Sequence, residues 1–126
     1  MLLLDTHYLI WVASNAPQLS RTSRRLIESS PIVYFSAASI FEIEAKRHRL
    51  VVMPKNPAGF FEKLGFEGLP ISMADAAASA NFSIGQIPDP FDRLLLAQAN
   101  NRGLDFLTAD QKIQAQKFEF VIEAND

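Results

Sequence analysis

The 126-residue sequence contains no cysteine and only two histidines, His7 and His48. The absence of cysteine excludes disulfide bonds, thiolate metal ligands and cysteine nucleophiles. Two histidines are also too few for a histidine-rich zinc site. No apolar run approaches the roughly 20 residues that span a bilayer. The apolar start at 2–4 runs directly into Asp5, which is not the pattern of a signal peptide. We therefore expect a soluble protein of the cytoplasm with no membrane partner.

The chain carries little net charge, −2 at pH 7, and its pI is near 5.6. This balance argues against a protein that holds nucleic acid by bulk electrostatic attraction. Basic residues cluster at 21–25 and 46–49, and the simplest interpretation of both clusters is a solvated helix face. Hydrophobic residues make up 48% of the sequence, which is enough for a packed core. The length then predicts one domain over residues 1–126.

Short apolar or β-branched runs predict strands at 2–5, 32–35, 68–71, 104–108 and 118–122. Helices are predicted between them at 6–14, 21–29, 36–49, 57–66, 73–82 and 91–102, with a short one after the fourth strand. Strands that alternate with helices indicate an α/β sandwich, with a mainly parallel sheet of four to five strands flanked by helices. In such sheets, ligands bind outside the carboxyl ends of the strands.

Two acidic residues stand at strand ends. Asp5 directly follows the first predicted strand, and Asp110 follows the fourth. Either residue alone could be a helix N-cap, a position that Asp favours. Both together would bring two like charges to one edge of the sheet, which is unfavourable unless a cation offsets them.

Asp92 is the most informative acidic residue, because a helix cap does not explain it. It lies three, four and seven residues before the apolar stripe of its helix, and so shares its inward face: Leu95, Leu96 and Ala99. Asp89, just outside the helix, is the better candidate for the cap. Asp92 is therefore predicted to point toward the core or a cleft beside it.

The helix predicted at 36–49 carries two further acids, Glu42 and Glu44. A helical wheel leaves them on opposite flanks of an inward stripe of Ala38, Phe41 and Ala45, so the periodicity does not choose between them. The same wheel places Ile40 and Ile43 outside the stripe and predicts that they are exposed. Exposed apolar side chains of this kind mark interfaces, which favours a homodimer.

Several carboxylates without a suitable histidine or cysteine indicate a site for a hard divalent cation, Mg²⁺ or Mn²⁺. Magnesium keeps most of its waters, takes one or two carboxylates and engages phosphate oxygens. The chemistry this suggests is metal-assisted hydrolysis of a phosphodiester, with a carboxylate to orient or deprotonate the attacking water.

Four segments together resemble PIN-domain proteins, specifically the VapC-type toxins of bacterial toxin–antitoxin pairs. The segments span 3–7, 36–43, 89–99 and 107–110, and their order and spacing are those of the family. The resemblance covers nearly the whole chain. It implies a PIN-like three-layer sandwich and an endoribonuclease that uses Mg²⁺ or Mn²⁺ to cleave RNA. It also implies a homodimer and inhibition by a cognate antitoxin whose tail enters the active-site groove.

Carried over residue by residue, the resemblance implies an acidic quartet of Asp5, Glu42, Asp92 and Asp110. Asp5 and Asp92 would be the principal metal ligands, often through water. It implies that Glu42 rather than Glu44 belongs to the site. The hydroxyl group of Thr6 or Thr108 would support the pocket by hydrogen bonding.

The chain departs from the family at two positions outside the quartet. Many relatives have a His-Ala pair where this chain has Asp75-Ala76, and a basic residue or histidine where it has Ile87-Pro88. These departures concern substrate contacts rather than the metal site. A phosphoacceptor receiver domain or a haloacid-type phosphatase would need acids or a lysine that the sequence lacks. A PIN-fold module that binds protein or RNA without catalysis remains the main alternative.

Overall fold

The structure, a computed structural model, describes residues 1–50 and 52–124 and is built on a five-stranded parallel sheet. The strands are β1 (Leu2–Leu4), β2 (Val33–Ser36), β3 (Glu67–Leu69), β4 (Asp105–Leu107) and β5 (Val121–Ile122). Their order in the sheet is β3-β2-β1-β4-β5, so that β1 is central. The predicted α/β architecture is confirmed, with β5 shorter than the sequence pattern indicated.

Within the described residues, seven helices connect or flank the strands: α1 (Thr6–Ser14), α2 (Arg21–Ser29), α3 (Ala37–Ala45), α4 (Pro57–Lys63), α5 (Met73–Ala78), α6 (Pro90–Arg102) and α7 (Gln111–Ala115). Two 3-10 turns, Arg47–Arg49 and Ser79–Asn81, follow α3 and α5, so these helices end earlier than predicted. The helix α4 also ends early, because Gly65 adopts a left-handed φ of 92° two residues after it. No helix within the described ranges has the length and apolarity to cross a membrane.

Helices cover both faces of the sheet. Because successive side chains of a strand point to opposite faces, Leu3 joins one apolar cluster while Leu2 and Leu4 join the other. The predicted inward stripe of α6 lies in the first cluster, where Leu95 and Leu96 are fully buried. The second cluster packs against α1, α3 and α4. This two-sided burial is the three-layer sandwich expected from the sequence.

The predicted inward stripe of α3 is confirmed at Ala38, which is buried in the core, and is wrong at Phe41 and Ala45. Phe41 is 67% exposed, whereas Ile43 is fully buried. Ala45 is exposed, and Ile40 is partly buried. The inward face carries polar side chains, so a wheel centred on apolar residues chose the wrong rotation. The expectation that Ile43 is exposed at an interface is therefore wrong.

A polar cluster fixes α5 against α6. Asp75 forms a capping box with Ser72, and its carboxylate accepts a hydrogen bond from the Arg102 guanidinium at 2.6 Å. Burial alone would raise the pKa of Asp75, but these partners, together with Gln98 and Asn101, hold the pKa at about 2. These contacts of the Asp75 carboxylate hold α5 against α6.

Candidate metal centre at the carboxyl edge of the sheet

Asp5 lies at the end of the central strand and is 3% exposed. One carboxylate oxygen accepts a hydrogen bond from the Thr6 backbone N–H at 2.7 Å, so Asp5 caps α1. The other accepts from the Thr108 hydroxyl group at 2.6 Å. Burial raises the pKa of the Asp5 carboxyl despite these hydrogen bonds, and the charge of Glu42 adds to the increase. Asp5 is thus both a helix cap and a rigidly held acid at the sheet edge.

Thr108 connects Asp5 with the second acid at this edge, Asp110. The Thr108 hydroxyl group donates to Asp5 and accepts from the Asp110 backbone N–H at 3.0 Å. Asp110 itself caps α7, accepting from the backbone N–H groups of Lys112 and Ile113. The hydroxyl group of Thr6, by contrast, bonds to Ser39 at 2.8 Å and to no acidic side chain. Of the two threonines, Thr108 is the one whose hydroxyl group supports the acids.

Asp92 occupies the first turn of α6 but does not cap it. The cap is Asp89, whose carboxylate accepts from the backbone N–H groups of Phe91 at 2.7 Å and Asp92 at 3.3 Å. Burial raises the pKa of the Asp92 carboxyl from 3.8 to about 7. Charge repulsion from four neighbouring acids contributes to this rise: Asp5, Asp89, Asp110 and Glu42. Asp92 therefore faces the shared negative charge of the centre.

The structure distinguishes the two acids of α3. Glu42 is 7% exposed, and its charge acts on both Asp5 and Asp92. Glu44 points outward and forms an ion pair with Arg47 at 2.6 Å. Glu42 forms its own ion pair with the Lys46 ammonium, also at 2.6 Å. The acid that the family resemblance selected is thus the one on the inward face.

Two cavities open beside these acids. One, of about 170 Å³, includes three aspartates in its wall and is lined by Gln86, Ile87, Pro88, Asp89, Asp92, Asp110, Lys112 and Ile113. The other, of about 320 Å³, has a basic rim and is lined by Thr6, His7, Ile10, Glu42, Lys46, Arg49 and Leu50. The acidic centre therefore has an acidic and a basic flank.

The donor set suits a hard divalent cation. In the part of the chain that the structure describes, no three His, Asp or Glu side chains converge closely enough to coordinate one ion together. Magnesium does not need such a cage, because it commonly binds one or two carboxylates and completes its shell with water and phosphate oxygens. Asp5 and Asp92 could supply the carboxylates. A bound cation would also offset the repulsion that raises the pKa of Asp92.

All four predicted acids lie near one another, since the charges of Asp5, Glu42 and Asp110 all act on Asp92.

Lys46 was not singled out in the sequence, where it belonged to a basic cluster. Its spacing of four residues from Glu42 was the available signal, because residues at i and i+4 are neighbours on a helix. The sequence alone could not use this spacing, because it did not show which of Glu42 and Glu44 belongs to the site.

The fold and this centre define a parallel α/β protein with a carboxylate cluster at the carboxyl ends of its strands. The chain belongs to the PIN domain family, whose family model matches residues 2–119. A search of the curated proteins gave no significant match.

Three solved structures illustrate the likeness of fold. A toxin–antitoxin complex from Klebsiella pneumoniae superposes with a TM-score of 0.71 at 22% identity, covering 97% of this chain and 96% of that one. VapC20 of Mycobacterium tuberculosis, described as a Sarcin-Ricin loop cleaving toxin, gives 0.72 at 14% identity, covering 94% and 96%. DNA-bound VapBC from Salmonella typhimurium gives 0.71 at 17% identity, covering 97% and 96%.

Proposed function

We propose that this chain is a VapC-like endoribonuclease toxin that uses Mg²⁺ or Mn²⁺ to hydrolyse phosphodiester bonds of RNA. The observation that carries the proposal is Asp92, a partly buried carboxylate that has no capping role and lies within the charge of the other acids. Membership of the PIN domain family supports it. The description of VapC20 as a Sarcin-Ricin loop cleaving toxin points the same way.

In this mechanism Asp5 and Asp92 hold the cation. Asp5 is preorganised by the Thr108 hydroxyl group and the Thr6 backbone N–H, so its carboxylate needs little reorganisation on binding. The cation, when bound, supplies a water of lowered pKa and offsets negative charge on the phosphate. Glu42 and Asp110 complete the pocket and orient or deprotonate the attacking water.

We also propose a cognate antitoxin as the regulatory partner. The Klebsiella and Salmonella structures are complexes of toxins with their antitoxins. A segment that brings arginine or lysine into the centre would relieve repulsion among its carboxylates and would block the cation. We further propose that residues 1–126 form one PIN domain that acts in the cytoplasm.

A homodimer is part of the same proposal, on a different surface from the one first expected. Among the described residues, the most exposed large apolar side chains are Met73 at 91%, Ile84 at 71% and Phe41 at 67%. The Phe41 ring lies 5.9 Å from the Phe91 ring, which brings α3 and the start of α6 together. Exposed apolar surface of this kind favours association.

The second candidate is a PIN-fold module that binds protein or RNA without cleaving it. The observation in its favour is that no three acids in residues 1–50 and 52–124 converge to form a closed metal cage. The retained quartet and the raised pKa of Asp92 favour the enzyme instead.

The test is cleavage of a mixed pool of single-stranded RNA in Mg²⁺ or Mn²⁺, with and without EDTA. Cleavage should require the metal, and both Asp5→Asn and Asp92→Asn should abolish it while the circular dichroism spectrum stays native. Glu42→Gln should lower the rate about 100-fold or more, as expected for a residue that orients or deprotonates water. The matched control Glu44→Gln should retain nearly full activity.

The proposal fails if cleavage survives EDTA, or if the wild-type protein binds RNA in Mg²⁺ without cleaving it. The second result would establish the binding module. If Glu44→Gln inactivates the protein and Glu42→Gln does not, the assignment of the quartet is wrong.

A further inference from the structure

A phosphodiester chain is repelled by this centre unless cations lie nearby, because the acids of the site and the net charge of −2 are both negative. The cavity of about 320 Å³ supplies such cations next to the centre. One wall comes from α1 and consists of Thr6, His7 and Ile10, and the other includes Glu42, Lys46 and Arg49. The cavity shares Glu42 with the acidic quartet, and its wall begins at Thr6, the neighbour of Asp5.

The basic residues at 46–49 have two different roles in the structure. Arg47 pairs with Glu44 and donates to the backbone oxygens of residues 53–55, so it ties the following loop to α3. Lys46 and Arg49 line the cavity instead. Arg49 is exposed, and among the residues described its guanidinium makes no hydrogen bond or ion pair. It is therefore available to a ligand.

Lys46 connects the cavity with the acidic centre. Its ammonium contacts the Glu42 carboxylate at 2.6 Å, and its side chain is 38% exposed while that of Glu42 is 9% exposed. The ammonium has three donor hydrogens, and Glu42 is its single partner in the described structure. The other two hydrogens can be donated to an anion in the cavity while Lys46 stays at the end of α3.

The two flanks of the centre differ in charge. The acidic flank carries Asp89, Asp92 and Asp110 with one cation, Lys112. The basic flank carries Lys46 and Arg49 against one acid, Glu42. A bound nucleic-acid strand is attracted by the basic flank alone. The strand therefore meets positive charge on one side of the centre and negative charge on the other.

We propose that this cavity is a phosphate-binding subsite for single-stranded RNA, in which Lys46 and Arg49 contact a phosphate next to the one that is cleaved. Lys46 then exchanges part of its interaction with Glu42 for the phosphate, and Arg49 adds a charge-assisted hydrogen bond. This inference rests on the proposed function and assigns the substrate contacts of the same site.

The test measures binding without cleavage. A fluorescein-labelled single-stranded RNA is titrated with the protein in EDTA, and fluorescence anisotropy is followed at several salt concentrations. Each phosphate contact to a single strand contributes about 0.7 to the slope of log K against log salt, which corresponds to roughly fivefold in affinity near 0.1 M salt. Lys46→Ala and Arg49→Ala should each lose that amount.

Matched controls remove the same charges elsewhere. Lys63→Ala and Arg25→Ala change exposed residues that do not line the cavity, and they should leave both the affinity and the salt slope close to the wild-type values. If the controls lose as much as the cavity variants, RNA binds by diffuse attraction and the subsite is refuted. Unchanged slopes for Lys46→Ala and Arg49→Ala also refute it. Equal competition by polyglutamate would refute it in favour of an acidic protein ligand.

A second readout separates binding from positioning. Mn²⁺ binding to Lys46→Ala, measured by calorimetry, should be as tight as in the wild type or tighter, because a positive charge beside Glu42 is removed. If Mn²⁺ binding weakens, Lys46 positions Glu42 for the metal, and the proposed exchange onto phosphate is wrong. Both readouts are independent of turnover, so absence of RNA cleavage would refute the proposed function while leaving the subsite to be judged by the anisotropy.

Discussion

Replacing Asp92 with asparagine tests the electrostatics of the centre without any RNA. Asparagine has nearly the shape of a protonated aspartic acid, so the substitution removes charge and little else. The helix keeps its N-cap, because Asp89 and not Asp92 accepts the capping hydrogen bonds. Any change in stability then reports the interaction of the Asp92 charge with its surroundings.

The magnitude follows from the pKa of Asp92, which burial and four neighbouring acids raise from 3.8 to about 7. At about 1.36 kcal/mol per pH unit, this rise amounts to ~4 kcal/mol. Because Asp92 is only partly buried, we expect solvent screening to reduce the effect to ~1–2 kcal/mol. Asparagine also loses a favourable charge near the helix N-terminus, a loss of about 0.3–1 kcal/mol. The net gain for the metal-free protein should lie between about 0 and 1.7 kcal/mol.

The sign of the effect depends on pH. The folded pKa of Asp92 lies above that of the unfolded chain, so the folded protein binds more protons between about pH 4 and pH 7. The contribution of Asp92 to stability is therefore lost as the pH rises through about 7. We expect the stabilisation by Asp92→Asn to be smaller near pH 5 than near pH 8, because the loss of stability in the wild-type protein accumulates from about pH 4 to about pH 7.

Metal should stabilise the wild-type protein much more than the Asp92→Asn variant. A cation that binds only the folded state stabilises it by about 2.7 kcal/mol at a hundredfold excess over Kd. For a domain of this size, each kcal/mol raises the Tm by roughly 3–6 °C. The wild-type protein should show this increase in Mg²⁺ or Mn²⁺, and Asp92→Asn should lose most of it.

The assay is a series of thermal melts from pH 5 to pH 8, in EDTA and in millimolar Mg²⁺ or Mn²⁺. Asp105→Asn is the matched control, since Asp105 is exposed and lies at the amino end of β4, and it should change neither profile. The reasoning is refuted if Asp92→Asn is destabilised by more than about 1 kcal/mol while the metal response is intact. Asp92 would then have a structural role at the start of α6.

Two further predictions concern the scaffold and the assembly. Asp75→Ala should lower the free energy of unfolding by about 2–4 kcal/mol, since it removes a capping box and leaves the Arg102 charge without its partner. Urea unfolding would measure this loss. A loss below about 0.5 kcal/mol would show that the polar cluster is dispensable. Light scattering at high micromolar concentration should show a wild-type dimer that Phe41→Ser weakens without lowering the Tm, because Phe41 is 67% exposed. A monomeric wild-type protein would contradict the homodimer.

The sequence alone determined the architecture, because local hydrophobic patterns specify the strands and helices. Alternating apolar runs and helical segments predicted the parallel sheet, and the stripe of α6 identified the inward face that Asp92 shares. Asp5 and Asp110 could be placed at one edge because the carboxyl ends of parallel strands meet there. Both also proved to be helix caps, so the structural and the site interpretation hold together.

Tertiary structure alone decided which face of α3 is buried. Its inward side carries Ser39 and Glu42, and Ser39 is held by Thr6, 33 residues earlier in the chain. The bond from Thr108 to Asp5 joins residues 103 positions apart. Hydrophobic periodicity detects only apolar burial, whereas a polar side chain is buried when a distant partner satisfies it. For that reason the wheel favoured Phe41 as an inward residue. The separation of Glu42 from Glu44, like the contact of Lys46 with Glu42 in the cavity of about 320 Å³, emerged only when the chain was folded.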